Sequence, residues 1–172
     1  MTHPSPQSAG AAGPPPAEED IRWLEIAVER ARRNVVEGGG PFAAIVVEDG
    51  RVLGEGTNRV TRDNDPTAHG EVCAIRAAAT ARGDFRLHGT VLYTSCEPCP
   101  LCLAAALWAR VDRVVFAADR HAAARAGFDD RAFHDLFVPR ESGWPMAVTR
   151  REVPGMDAPF DDWLAHDSRV SY

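Results

Sequence analysis

The sequence has no excess of positive charge: 19 Lys+Arg stand against 25 Asp+Glu, a formal charge of -6 over 172 residues. Without a net positive field little draws in a nucleic-acid backbone, so a small molecule is the expected partner and nucleic acid is not. No apolar run approaches the roughly 20 residues needed to cross a bilayer, and no membrane partner is expected. The stretch Met1 to Ala17 lacks the basic start and apolar core of a secretory signal. The expected compartment is the cytoplasm. Internal repeats are lacking as well. Cysteine is scarce, with four residues confined between Cys73 and Cys102. In a reducing compartment such crowding points to metal or catalysis rather than to disulfides.

What is present fits one domain with appendages. Residues 1–17 are rich in Pro, Ser, Gly and Ala and read as a disordered tail. Residues 18–156 carry the domain and 157–172 a C-terminal segment. Ile21, Leu24, Ala27, Val28, Ala31 and Val35 recur at helical spacing behind the acidic start Glu18-Glu19-Asp20, and Gly38-Gly39-Gly40-Pro41 stops that helix. Phe42 to Val47 and Val52 to Gly56 flank an Asp49-Gly50 turn and predict a hairpin, its first strand buried on both faces. A polar loop from Asn58 to Thr67 precedes a helix over Ala68 to Arg82. Strands are predicted at Thr90–Thr94, Arg113–Ala117 and Ala147–Val153, with a helix over Cys99 to Arg110. This alternation predicts an α/β fold, a three-layer α/β/α sandwich around a mixed five-stranded sheet.

Two fragments carry chemistry: His69-Gly70-Glu71 at one helix start and Pro98-Cys99-Pro100-Leu101-Cys102 at another. Together they match the H-x-E and P-C-x-x-C pattern of zinc nucleobase deaminases. Two thiolates three positions apart at a helix start can grip one ion, and the positive helix end favours ionised sulfur. His69 makes a third ligand to Zn2+ and leaves the fourth position for water, as a catalytic site requires. Zinc lowers the pKa of that water, and Glu71, beside the metal without binding it, can act as general acid and base.

Other chemistries share parts of this pattern. Cys96, Cys99 and Cys102 resemble the opening of an iron–sulfur run, but position 106 is Ala where a further cysteine is needed. Cys96 as a fourth ligand would make a closed structural zinc site. It is expected to face the packed side instead.

The runs Gly39-Gly40-Pro41-Phe42, Asn64-Asp65-Pro66-Thr67-Ala68-His69, Leu92 to Pro100 and Ala126-Gly127-Phe128-Asp129-Asp130 together resemble bacterial guanine deaminases of the cytidine deaminase-like fold, over about residues 20 to 172. That resemblance implies hydrolysis of guanine to xanthine and ammonia in a homodimer whose 157–172 segment crosses to cover the neighbouring active site. It further implies that Asn58 hydrogen-bonds the purine, Phe42 stacks on it and Asp130 assists proton transfer. Trp108 would line the pocket and Tyr172 would close it from the other subunit. The same residue types serve plainer ends: Phe42 and Trp108 as core aromatics, Asn58 as a turn residue, Asp129 and Asp130 as helix caps, Tyr172 as a frayed end. Where the family usually has Ala, this sequence has Gly70, which removes a methyl from a position expected against the substrate. Cytosine, cytidine and guanosine are alternative substrates for the same motifs. A tRNA adenosine is disfavoured by the acidic balance.

Overall fold

The computed structural model describes residues 17–128, 131–136, 146–167 and 169. In chain order the elements are α1 (Ala17–Val36), β1 (Ala43–Glu48), β2 (Arg51–Thr57), α2 (Val60–Asp63), α3 (Gly70–Arg82), β3 (Thr90–Cys96), α4 (Pro100–Trp108), β4 (Arg113–Ala118), α5 (Arg120–Arg125), α6 (Arg131–Leu136), β5 (Ala147–Arg150) and α7 (Ala158–Ala165). The sheet runs β2-β1-β3-β4-β5. Its first two pairings, β2 with β1 and β1 with β3, are antiparallel; β3 with β4 and β4 with β5 are parallel. The sheet is therefore mixed and five-stranded, as the alternation of elements predicts.

Strand periodicity divides the core into two layers. Ala44 and Val46 of β1, with Leu92 and Val114, face α3 and α4, where Ala74, Ala78, Leu103 and Ala106 are buried. Ile45 and Val47, with Tyr93 and Val115, face Trp23, Leu24, Ala27 and Val28 of α1. β1 is thus covered on both faces, as its unbroken apolar run requires. On the α3 side the fit is backbone to backbone. A Cβ on Gly54 of β2 would run into Ala78 N, and one on Gly56 into Gly70 O and Ala74 N. Only glycine lets this strand approach so closely, and that approach seats the first turn of α3.

The acidic start of α1 does more than complement its dipole. Asp20 is fully buried and accepts hydrogen bonds from Tyr93 Oη (2.9 Å) and from Arg113 Nη1 (2.9 Å) and Nη2 (2.6 Å). This paired, hydrogen-bonded charge locks α1 onto the middle of the sheet; removing one member of such a pair costs about 3–5 kcal/mol.

The structure departs from the sequence reading in its connections. The supposed loop Asn58 to Thr67 contains α2, a single turn that buries no residue and so has no apolar stripe to betray it. Its local support is the Arg59–Asp63 pair at 2.7 and 2.9 Å, with Asn64 ending it in the left-handed conformation. α5 and α6, six residues each, were not anticipated. The fifth strand ends at Arg150 rather than Val153, whose side chain instead joins the layer under α1.

Candidate active site

Both candidate ligand segments open helices. His69 is the N-cap of α3 and Cys99 the N-cap of α4, each with extended backbone (φ -69°, ψ 154° and φ -67°, ψ 167°). Their carbonyls accept the first intrahelical bonds, from Cys73 N at 2.9 Å and Leu103 N at 3.0 Å. Pro100 at the first helical position is pre-set for this geometry and has no N–H to leave unsatisfied. The helix starts aim positive dipole ends at one point, where thiolates are favoured.

The three donor atoms converge. Cys99 Sγ lies 3.6 Å from His69 Nδ1 and 3.6 Å from Cys102 Sγ, and Cys102 Sγ lies 3.5 Å from His69 Nδ1. A tetrahedral zinc with Zn–S of about 2.3 Å and Zn–N of about 2.0–2.1 Å needs edges of roughly 3.8 Å between sulfurs and 3.6 Å from sulfur to nitrogen. The triangle fits that ion without rearrangement. Among the described residues these three form the one group of His, Cys, Asp or Glu able to hold a metal. Cys96 is buried apart from them, its thiol directed at Asp119 O. This is the packed orientation expected of it, and it counts against a four-cysteine centre.

Glu71, buried in the first turn of α3, stands against the triangle: its Oε2 is 3.3 Å from Cys102 Sγ. Its Oε1 accepts a hydrogen bond from Thr94 Oγ1 at 3.1 Å. Burial, and then the negative charge of Cys99, raises the pKa of the Glu71 carboxyl above its ordinary value. The contact with the Cys102 thiol, aided by the His69 ring, holds Cys99 down at about 4, while that same contact and burial push Cys102 up.

The matching sequence family settles what this arrangement belongs to. The family described as "Cytidine and deoxycytidylate deaminase zinc-binding region" matches residues 17–118, which span α1 through β4 and include every member of the triangle. The chain belongs to this zinc-binding deaminase family.

Its relatives include the guanine deaminase of Bacillus subtilis (strain 168), 53% identical over 158 residues that cover 87% of this chain and 97% of that protein. The X-ray structure of guanine deaminase from Bacillus subtilis superposes with a TM-score of 0.66 at 40% identity, covering 88% of this chain and 97% of that one. A solved structure in complex with 2,6-diaminopurine gives a TM-score of 0.75 at 28% identity, covering 89% and 85%.

Phe42 and Asn58 are joined to each other, and the chain from Asn58 leads toward the segment before His69. Ala43, next to Phe42, donates its N–H to Ser95 Oγ (3.1 Å). Asn58 is 2% exposed, and its N–H donates to Phe42 O at 2.9 Å. Arg59 N then donates to Ala68 O, beside His69. The Phe42 ring meets Phe128 edge-on at 4.8 Å and Phe160 at 5.6 Å. The vacancy at Gly70 does not open outward: a Cβ there would point at Ala43, 3.0 Å from Cα and 3.2 Å from N.

Trp108 is not brought to this centre within the chain. It is 76% exposed at the far end of α4, six residues and therefore about 9 Å along the axis from Cys102. In the 157–172 segment, α7 buries Phe160 and Trp163 against Phe42, Phe128 and Val35 of its own chain, and Asp162 pairs with Arg32 at 2.8 Å. Asp130 and Tyr172 lie outside the described residues.

Sequence reasoning missed two supports. Thr94, which steadies Glu71, reads only as a β-branched strand residue; its signal was its place two residues before Cys96 on the strand leading into the cysteines. Glu97 reads as a spacer within the motif, yet Arg120 of α5 donates to it through N and Nε at 2.9 Å and also through Nη2. Burial pushes the Glu97 pKa upward, but the Arg120 hydrogen bonds outweigh it and leave the carboxylate below its ordinary range. This pair ties the loop that carries Cys99 to the end of β4.

Proposed function

We propose that the chain hydrolyses a free nucleobase, converting guanine to xanthine and ammonia, with zinc held by His69, Cys99 and Cys102. The observation that carries the chemistry is the donor triangle with the buried Glu71 carboxyl beside it. The choice of base is supported by the similarity to a guanine deaminase over 87% of this chain and by the purine held in a related structure.

Zinc in that triangle supplies a Lewis acid that lowers the pKa of water toward neutrality. Glu71 takes one proton from the attacking water and passes it to the ring nitrogen, then takes the second from the new hydroxyl and passes it to the departing amine. A C–O bond forms, the exocyclic C–N bond breaks, and the amine leaves as ammonia. Thr94 fixes one carboxylate oxygen and leaves the other turned toward the donor triangle for this transfer. Phe42 offers an aromatic face to the base and Asn58 a carboxamide to its edge, while Asp130 assists proton transfer and Tyr172 closes the pocket from the other subunit. The test is ammonia release over guanine, guanosine, cytosine, cytidine, adenine and a tRNA bearing adenosine at the wobble position. Guanine should exceed every other substrate by at least about a hundredfold in kcat/KM, since a site built to hydrogen-bond one base leaves buried polar groups unpaired with another. Preference for any other member rejects guanine as the substrate.

A homodimer is supported by α4, an apolar helix that leaves Leu101 43% and Trp108 76% exposed. Such a face is costly to leave in water. Trp108→Glu should convert a dimer to a monomer in light scattering with its circular dichroism unchanged. A wild-type monomer, or a variant that remains dimeric, excludes this face as the interface.

A further inference from the structure

Asn34 lies near the end of α1, 1% exposed, and its polar atoms are all engaged. Nδ2 donates to Gly40 O at 2.7 Å and to Asn58 O at 2.8 Å. Oδ1 accepts from Arg62 Nη2 at 3.3 Å. The two carbonyls belong to the segments that carry Phe42 and Asn58, and these are joined to each other. Phe42 N donates to Gly40 O at 2.8 Å, and Asn58 N donates to Phe42 O at 2.9 Å. The result is a closed ring of hydrogen bonds in which one side chain, Asn34, braces two segments that meet at the end of the β1–β2 pairing.

The chemistry of position 34 is narrow. Two carbonyl oxygens facing one side chain demand two N–H donors, which a carboxamide has and a carboxylate lacks. The space is narrow too, since a Cβ on Gly39 would run into the Asn34 carboxamide. The Gly38-Gly39-Gly40 run therefore wraps Asn34 as well as ending the helix.

We propose that Asn34 is a positioning residue for substrate binding, placing the Phe42 ring and the Asn58 carboxamide at the mutual distance that grips the base. This rests on the reading that Phe42 and Asn58 contact the base. Asn34 touches neither the metal triangle nor Glu71, so its loss acts on binding and not on proton transfer. In Asn34→Asp the carboxylate would face two carbonyls and force the segments apart, leaving polar groups unpaired.

The experiment is steady-state kinetics on guanine with zinc content measured in each sample, for wild type, Asn34→Asp, Arg62→Ala, Phe42→Ala and Asn58→Ala. Asn34→Asp should raise KM about tenfold, the size expected when a buried hydrogen-bonded pair is broken, with kcat within about twofold and zinc still equimolar. Arg62→Ala, which removes the donor to the carboxamide oxygen and to Glu37 O but leaves both Nδ2 bonds of Asn34, should raise KM about two- to threefold. If Asn34→Asp does not fold, Arg62→Ala decides by the same split between KM and kcat. An unchanged KM in folded, zinc-loaded protein overturns the proposal, as does a KM rise accompanied by proportionate loss of kcat and zinc. Unchanged KM in both Phe42→Ala and Asn58→Ala would instead remove those residues from the base, and with them the reading on which the proposal rests.

Discussion

Glu71→Gln is expected to reduce kcat by about a thousandfold or more while zinc remains equimolar. General acid–base groups contribute about 10²–10⁴ in rate, and here one carboxyl serves both the water and the leaving amine, which puts the expected loss at the upper end. The substitution keeps the side chain's shape and its oxygen, so Thr94 Oγ1 can still donate as it does at 3.1 Å. It changes only the capacity to take and give a proton. Ammonia release and metal analysis on the same sample decide the matter. A loss smaller than about tenfold would mean that another group carries the proton.

The second large effect is at the metal. Cys102→Ala leaves His69 and Cys99 as the remaining donors, and zinc should be lost on dialysis against a chelator that the wild type resists. Activity should fall to background. Stability should fall as well, because an ion that binds only the folded chain contributes about 4 kcal/mol when present at a thousand times its Kd. At roughly 2–4 °C per kcal/mol for a chain of this size, the midpoint drops on the order of 10 °C. A chelator should then lower the wild-type midpoint and leave that of the variant unchanged. Because the Cys102 thiol is pushed above its ordinary pKa and must release its proton to bind, affinity for zinc should rise with pH. Full zinc retention in Cys102→Ala would disprove the assigned ligand set.

Much of this centre was legible in the sequence because its geometry is local. Cys99 and Cys102 are three positions apart at a proline-marked helix start, so helix geometry alone places both sulfurs on one side. Glu71, two residues after the N-cap His69, is fixed beside it in the same way. The five strands were legible for a similar reason, as short apolar runs between turn residues, whereas α2, α5 and α6 are single turns or little more, too short for apolar periodicity to show.

The sequence by itself therefore determined which chemistry-bearing residue types stand at the two helix starts and the α/β architecture, each through patterns only a few residues long. The tertiary structure alone decided what those groups meet. The packing of α3 on the sheet brings Thr94 to Glu71 across 23 positions, and the packing of α1 brings Asn34 to Asn58 across 24. Gly70 faces the Ala43 backbone rather than open space, and Trp108 faces outward from α4. Contacts between distant segments depend on how the whole sheet and its helices stack, and no local pattern of residue types encodes that stacking.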